Sequence, residues 1–137
     1  MSVGGQVSGS VGPGLCVLVG VGQGDSEEDA RWMADKVVSL RIFEDEQGKM
    51  NRSVLDVRGG VLAISQFTLF GDARKGTRPG FVDAARPEIA QPLYARFCEL
   101  ARERGVQVAE GVFRAAMQVR IVNEGPVTLL LDSRKSF

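Results

Sequence analysis

Two short, continuous apolar runs restrict the possible folds of this chain most strongly. Residues 15–19 and residues 61–64 are apolar at every position, which is typical of strands that are covered on both faces. Two longer segments carry apolar side chains at helical spacing: one runs from about residue 27 to residue 40, and the other from Pro87 to Gly105. Proline suits the first turn of a helix and glycine its end. This order of elements predicts an α/β chain in which sheets are covered by a layer of two long helices.

Turn and cap residues predict where the smaller elements lie. Gly4 and Gly5 can turn a hairpin, and residues 51–57 are expected to pair with strand 61–64 through the next glycine pair, at 59–60. Residues 115–122 and 127–131 are predicted to be strands. Apolar and polar side chains alternate strictly from Met117 to Ile121, so one face of that strand is expected to be exposed to solvent or to lie at an interface.

Gly20, Gly22 and Gly24 precede the first helix and invite comparison with a dinucleotide-binding loop. The acidic residues at positions 25 and 27–29 lie where a pyrophosphate would have to bind, and they oppose that interpretation. We predict instead that Ser26 is the N-cap of the helix and that Asp29 completes an acidic variant of the capping box.

The composition excludes several classes of site. The chain of 137 residues contains no histidine, so neither a Ser-His-Asp or Cys-His nucleophile nor a histidine base can form within it. Its two cysteines cannot complete a tetrahedral zinc site without histidine, and no acidic motif indicates magnesium, so no metal or cofactor is predicted.

Cys16 and Cys98 lie in apolar patterns and are expected to be reduced core residues of a cytoplasmic protein. No apolar run is long enough to span a membrane. The length predicts one domain over residues 1–137.

The charge distribution points to one local patch. The net charge is zero, which does not favour general nucleic-acid binding, and no DNA partner is predicted. Residues 1–57 hold 5 basic and 9 acidic side chains, whereas residues 58–137 hold 12 and 8. The loop at residues 71–80 contains Arg74, Lys75 and Arg78 and is followed directly by Phe81. Such a cluster is either a solvated loop or a site for a single-stranded nucleic-acid end, where cations bind phosphate and an aromatic ring lies under a base.

Two further stretches combine unusual backbone with polar side chains. In NEGPVT at residues 123–128, Gly125 precedes Pro126, so bare main chain can approach a ligand there. Local physics favours a trans bond, because few X–Pro bonds in folded proteins are cis. In SQFTL at residues 65–69, Ser65 and Thr68 carry hydroxyls with no predicted base beside them. These hydroxyls and Gln66 can simply satisfy main chain at a strand end, or the strand end can supply N–H donors to a developing oxyanion.

Together these two stretches resemble the signature pair of the D-aminoacyl-tRNA deacylases. RIF at residues 41–43, GKMN at 48–51, KGTRPGF at 75–81, and Met117 with Val119 match as well, in the same order along nearly the whole chain. The resemblance implies a deacylase-type fold, namely a single-domain β/β/α layered sandwich with mixed, barrel-like sheets. It also implies a cis bond before Pro126 and a homodimer.

The resemblance further implies a function: hydrolysis of the ester of D-aminoacyl-tRNA, and of glycyl-tRNA, at the acceptor end. The tRNA 2′-hydroxyl would assist, and the main chain of the glycine–proline pair would reject L side chains. No side chain would be indispensable to the chemical step. The implied catalytic residues are Ser65, Gln66, Phe67, Thr68, Gly125 and Pro126, and the implied substrate-binding residues are Asn123, Met117, Arg74, Lys75, Arg78 and Phe81.

The chain departs from the family pattern in two places. Ala116 stands where the family often has an acid, and the family begins with a further strand bearing Gln-Arg-Val. We therefore expect that the sequence starts late; the alternative is that another segment, such as residues 134–137, fills that place in the sheet. A tRNA-end binding module without activity, and a structural or small-molecule-binding domain, remain as alternative functions.

Overall fold

The computed structural model describes residues 1–137, in which a parallel sheet carries two long helices on one face. In chain order the elements are β1 Ser2–Val3, β2 Gln6–Val7, β3 Gly14–Val19, α1 Glu27–Ser39, β4 Phe43–Glu44, β5 Met50–Arg52, β6 Gly60–Ser65, a 3-10 turn Phe67–Phe70, α2 Pro87–Glu103 and β7 Gln107–Glu110. The central sheet has the order β3-β6-β7, and all of its pairs are parallel.

The mixed α/β class predicted from the sequence is confirmed, but barrel-like sheets are not seen. The strands form three separate sheets: the central one, the hairpin β1–β2 and the hairpin β4–β5. Gly4 and Gly5 turn the first hairpin with φ angles of 56° and 82°, as their sequence predicted.

The main core lies between the central sheet and the helices. Val37 and Val38 of α1 and Phe97 and Ala101 of α2 are buried there with Val61 of β6. The helices begin where predicted, and the Ser26 N–H donates to Asp29 Oδ2 at 2.9 Å. The buried Tyr94 hydroxyl donates to the carbonyl of Ala63 at 2.8 Å and ties α2 to β6.

The opposite face of the sheet is only partly covered. Leu62 and Ile64 of β6 are buried there under Met1, Met117 and other apolar side chains. Leu18 of β3 faces the same way, because it pairs with Ile64 in register, and yet it is 46% exposed. The prediction that strand 15–19 is covered on both faces is therefore wrong, and for the same reason Cys16 is exposed while Cys98 is buried.

The predicted pairing of residues 51–57 with β6 is also wrong. Both edges of β6 are already occupied, by β3 and β7, so no third strand can join it. Residues 50–52 pair with β4 instead. The chain then turns at Ser53, whose N–H donates to Asp56 Oδ2 at 2.9 Å while its Oγ accepts from the Asp56 N–H at 3.0 Å.

The two strands predicted near the C-terminus, at residues 115–122 and 127–131, do not form within one chain. Only Ser2 and Gln118 exchange backbone hydrogen bonds, both of 2.9 Å, in an isolated bridge. Residues 119–131 make no backbone–backbone hydrogen bond. Side chains at residues 111–120 nevertheless alternate between half-buried and exposed, as the sequence pattern indicated. The segment has the side-chain pattern of a strand, but apart from the single bridge to Ser2 of β1 it has no partner strand.

Candidate active site

The end of β6 presents two unused N–H donors side by side. The strand stops at Ser65, the Gln66 N–H donates to the Val19 carbonyl at 2.8 Å, and the chain turns into the 3-10 helix. The first N–H groups of a helical turn have no partner within it. Accordingly, the N–H groups of Phe67 and Thr68 donate no hydrogen bond in the chain. Among the N–H groups of residues 66–68, only that of Gln66 is thus already used, in its bond to Val19.

The hydroxyls beside these donors lack a base. The Gln66 side-chain amide donates to Thr68 Oγ1, and the Ser65 hydroxyl has no hydrogen-bond partner. Asp72, the nearest acid in sequence, is bound to Arg74 through Nε at 2.9 Å and Nη2 at 2.7 Å. These arginine hydrogen bonds lower the pKa of Asp72 to about 2, which makes it a poor proton acceptor. The arrangement offers main-chain donors rather than an activated side-chain nucleophile.

The loop after the turn contains two cations without an ion-pair partner and ends at one member of an aromatic pair. Phe67 and Phe81 pack edge to face, with ring centroids 5.1 Å apart, and Phe67 remains 56% exposed. Lys75 and Arg78 are exposed and form no ion pair, whereas Arg74 is neutralised by Asp72. The structure therefore brings one predicted binding residue, Phe81, against one predicted catalytic residue, Phe67.

The Gly125–Pro126 segment forms a self-contained exposed turn. The bond between these residues is cis, as the resemblance implied, and Gly125 has a φ of 126°, a region that favours glycine. Asn123 holds the turn: its Oδ1 accepts from the Val127 N–H and its Nδ2 donates to Thr128 Oγ1, both at 3.1 Å. No hydrogen bond joins this turn to residues 65–70. The resemblance implies that the two segments lie at one cleft, contributed by one chain or by two, and within one chain no hydrogen bond brings them together.

Met117 has a structural contact in this chain. Its side chain packs against the cluster of Leu62 and Ile64 on the less covered face of the sheet. A Cβ added to Gly111 would come within 2.9 Å of the Met117 sulfur. Its predicted role in substrate binding thus has no direct support in a single chain.

The sequence reasoning missed one contact at this site. The ring of Phe70, in the 3-10 turn, lies against the backbone of Gly20 and Gly22, where an added Cβ would come within 3.0 Å and 2.9 Å of ring carbons. The alternating glycines at positions 20, 22 and 24 are the available sequence signal for this contact, but their spacing by itself suggests only a comparison with a dinucleotide-binding loop. Phe70 itself gave no periodic signal, because the turn that carries it is four residues long.

No group of three or more histidine, cysteine or acidic side chains is arranged to hold a metal ion. None of the helices has both the length and the apolar character needed to cross a membrane.

Comparison with known proteins identifies the family. The sequence model of the family described as D-Tyr-tRNA(Tyr) deacylase matches residues 1–132. The chain is 61% identical to a D-aminoacyl-tRNA deacylase of Anaeromyxobacter dehalogenans over 98% of its length and 91% of the relative's. It is 60% identical to one of Thermotoga petrophila over 94% of its length and 87% of the relative's.

Two solved structures are similar as well. One, titled c-Myc DNA Unwinding Element Binding Protein, has a TM-score of 0.89 at 40% identity and covers 96% of this chain and 89% of its own. The other, titled as a probable eukaryotic D-amino acid tRNA deacylase, has a TM-score of 0.65 at 18% identity and covers 80% of this chain and 79% of its own; it supports the fold alone. On the family match and these close relatives, the chain belongs to the D-Tyr-tRNA(Tyr) deacylase family of hydrolases.

Proposed function

We propose that this protein hydrolyses the ester bond of D-aminoacyl-tRNA and releases free tRNA and the D-amino acid. Its membership in the family supports this activity. The observation that carries the mechanism is the pair of unused N–H donors at Phe67 and Thr68, in a chain with no histidine. Two adjacent main-chain donors can bind the oxygen on which negative charge develops, and they need no titratable side chain.

In the proposed reaction, water attacks the carbonyl carbon of the ester. The carbonyl oxygen becomes negative and is bound by the N–H groups of Phe67 and Thr68. The carbonyl then re-forms as the bond from this carbon to the ribose oxygen breaks, and the ribose oxygen takes up the proton that the attacking water loses. The neighbouring 2′-hydroxyl of the tRNA assists the proton transfer, because neither Ser65 nor Thr68 has a base beside it.

The chirality of the substrate is read by the main chain of Gly125 and Pro126. Their carbonyl oxygens accept no hydrogen bond in the chain and stand in an exposed turn fixed by Asn123. An L side chain would meet these carbonyls, whereas a D side chain would point away. Exclusion by fixed backbone can exceed the roughly 1–3 kcal/mol that one methylene provides in a pocket. Glycyl-tRNA, which has no side chain to reject, is therefore also a substrate.

A second copy of the chain completes the site. Residues 119–131 make no backbone–backbone hydrogen bond, and Val122 is 96% exposed, which leaves an unpaired edge that proteins usually cover. A two-fold dimer would cover this segment on both copies. It would also bring the Gly125–Pro126 turn of one protomer to the N–H donors of the other. Sedimentation should show a dimer at micromolar concentration, and a monomer there would contradict this assembly.

The terminal nucleotides of the tRNA bind along the loop after the turn. Lys75 and Arg78 are free to contact phosphates, and the exposed ring of Phe67, supported by Phe81, offers a surface for a base. Arg74 is already paired with Asp72 and shapes the loop instead. Binding should weaken when Lys75 and Arg78 are replaced by alanine, and it should depend on salt.

Deacylation and binding measured side by side test the proposal. D-tyrosyl-tRNA should lose its amino acid at a rate that saturates with enzyme, and L-tyrosyl-tRNA should not. Tight binding of the acceptor end without hydrolysis would instead favour a binding module without deacylase activity. If the protein neither hydrolyses D-tyrosyl-tRNA nor binds the acceptor end, the proposed function is overturned.

A further inference from the structure

The glycines at positions 20 and 22 lie under the turn that carries the proposed oxyanion donors. At Gly22 an added Cβ would lie 2.9 Å from Cζ of Phe70 and 3.0 Å from its Cε1, and the next nearest atom is Asp25 Oδ2 at 3.5 Å. At Gly20 it would meet Cε2 of Phe70 at 3.0 Å, and also the Gln66 carbonyl oxygen and Leu69 Cβ, both at 3.3 Å. Contacts below about 3.4 Å are tighter than a Cβ normally makes. The ring therefore fits only because both positions lack a side chain.

This glycine segment is a fixed support rather than a mobile loop. The Gly22 N–H donates to Asp25 Oδ2 at 2.7 Å. The Ala85 N–H donates to the Val21 carbonyl, and the Gln23 N–H to the Asp83 carbonyl, both at 2.9 Å. Hydrogen bonds thus hold the segment from Asp25, which directly precedes the N-cap of α1, and from the residues that follow Phe81.

Neither glycine is required by its backbone conformation. Gly24 has a φ of 84°, whereas Gly20 and Gly22 are not in the left-handed region. Alanine could adopt their dihedral angles, so what excludes it at position 22 is chiefly the ring of Phe70. Steric fit therefore fixes the position of the Phe70 side chain, and of the turn that carries it, against the residues that follow β3.

We propose that Phe70 is a positioning residue of the deacylation reaction: its ring, seated on Gly20 and Gly22, sets the orientation of the turn and hence the direction of the Phe67 and Thr68 N–H groups. This rests on the proposed function, in which those N–H groups bind the oxyanion. The turn is only four residues long, and beyond its own short hydrogen bonds it is held by the Gln66 N–H, by the packing of Phe67 on Phe81 and by this ring. Donors of this kind stabilise a transition state only when they are aimed at the oxygen in advance.

The test pairs Gly22→Ala with a compensating change. Gly22→Ala should lower kcat for D-tyrosyl-tRNA by about tenfold or more with little change in KM, since a small misplacement of catalytic groups costs rate rather than substrate binding. Phe70→Leu removes the ring atoms that the new methyl would meet. The double variant Gly22→Ala/Phe70→Leu should therefore be faster than Gly22→Ala alone.

Two matched glycine variants serve as controls. Gly12→Ala adds a methyl where nothing lies within 4 Å, and it should leave kcat unchanged. Gly20→Ala also meets Gln66 and Leu69, so Phe70→Leu should restore it less completely than it restores Gly22→Ala. A purely structural role would instead lower thermal stability and rate together, with no rescue of kcat in the double variant.

A second readout does not depend on activity. The backbone amide resonances of Phe67 and Thr68 should shift in Gly22→Ala, return towards their original positions in the double variant, and stay in place in Gly12→Ala. If the wild-type protein does not hydrolyse D-tyrosyl-tRNA but these shifts occur, the proposed function fails and the positioning contact stands. If Gly22→Ala keeps full kcat and both resonances stay in place, the positioning role is overturned.

Discussion

Among the glycines of this fold, Gly14 at the start of the central sheet is the one at which an added Cβ would come nearest to another atom, and Gly14→Ala tests that contact. Gly14 of β3 pairs with Gly60 of β6. A Cβ on Gly14 would lie 1.9 Å from the Gly60 carbonyl oxygen and 2.7 Å from its nitrogen. These are backbone atoms, so no side-chain rotation can relieve the clash. The two strands must separate at this end, with partial loss of their parallel pairing.

The expected cost is at the upper end of overpacking effects, about 3 kcal/mol. An unfolding entropy of about 2.1 cal/mol/K per residue gives a chain of 137 residues about 0.29 kcal/mol/K. The thermal midpoint should therefore fall by about 10 °C, measured by circular dichroism. Gly12→Ala, which meets nothing within 4 Å, should stay within about 2 °C of the wild type. A Gly14→Ala midpoint as high as that of Gly12→Ala would refute the reasoning from strand contact.

Three further predictions concern single side chains. Thr68→Ala removes a hydroxyl that has no base, so the deacylation rate should fall by less than about tenfold; a loss above about 10⁴-fold would mark a true nucleophile. Tyr94→Phe should cost about 0.5–1 kcal/mol in urea unfolding, since the Ala63 carbonyl keeps its 3.1 Å bond from the Gly111 N–H; a cost above about 3 kcal/mol would contradict this. The Asp72 carboxyl has its pKa lowered to about 2 by Arg74, so its pairing is complete above about pH 4 and is lost as the pH falls through 2. In an NMR titration Arg74→Ala should raise this midpoint towards about 4, and an unchanged midpoint would count against the pairing.

Local sequence signals sufficed for the elements that one chain completes by itself. The apolar run at residues 61–64 became β6, and the capping residues Ser26 and Asp29 lie at the start of α1. These features depend on neighbours in sequence and on burial within one core, which the pattern of residues encodes directly.

The predictions that were wrong concern partners distant in sequence. Residues 117–121 alternate as a strand does, yet within the chain the segment pairs only with Ser2 of β1, through the single bridge at Gln118. Periodicity reports which face is apolar, but it does not report which segment provides the hydrogen bonds. The contact of Phe70 with Gly22 was likewise hidden, because it joins segments 48 positions apart that carry no shared pattern.

The proposed mechanism divides catalysis between main-chain donors of the protein and the 2′-hydroxyl of the substrate. The most direct test is the single-turnover rate on D-tyrosyl-tRNA whose terminal adenosine lacks that hydroxyl, compared with the ordinary substrate at saturating enzyme. Since a positioned proton-transfer group contributes about 10²–10⁴-fold, the 2′-deoxy substrate should react at least about 100-fold more slowly while it binds equally well. Equal rates on the two substrates would mean that a group of the protein moves the proton, and they would contradict the mechanism.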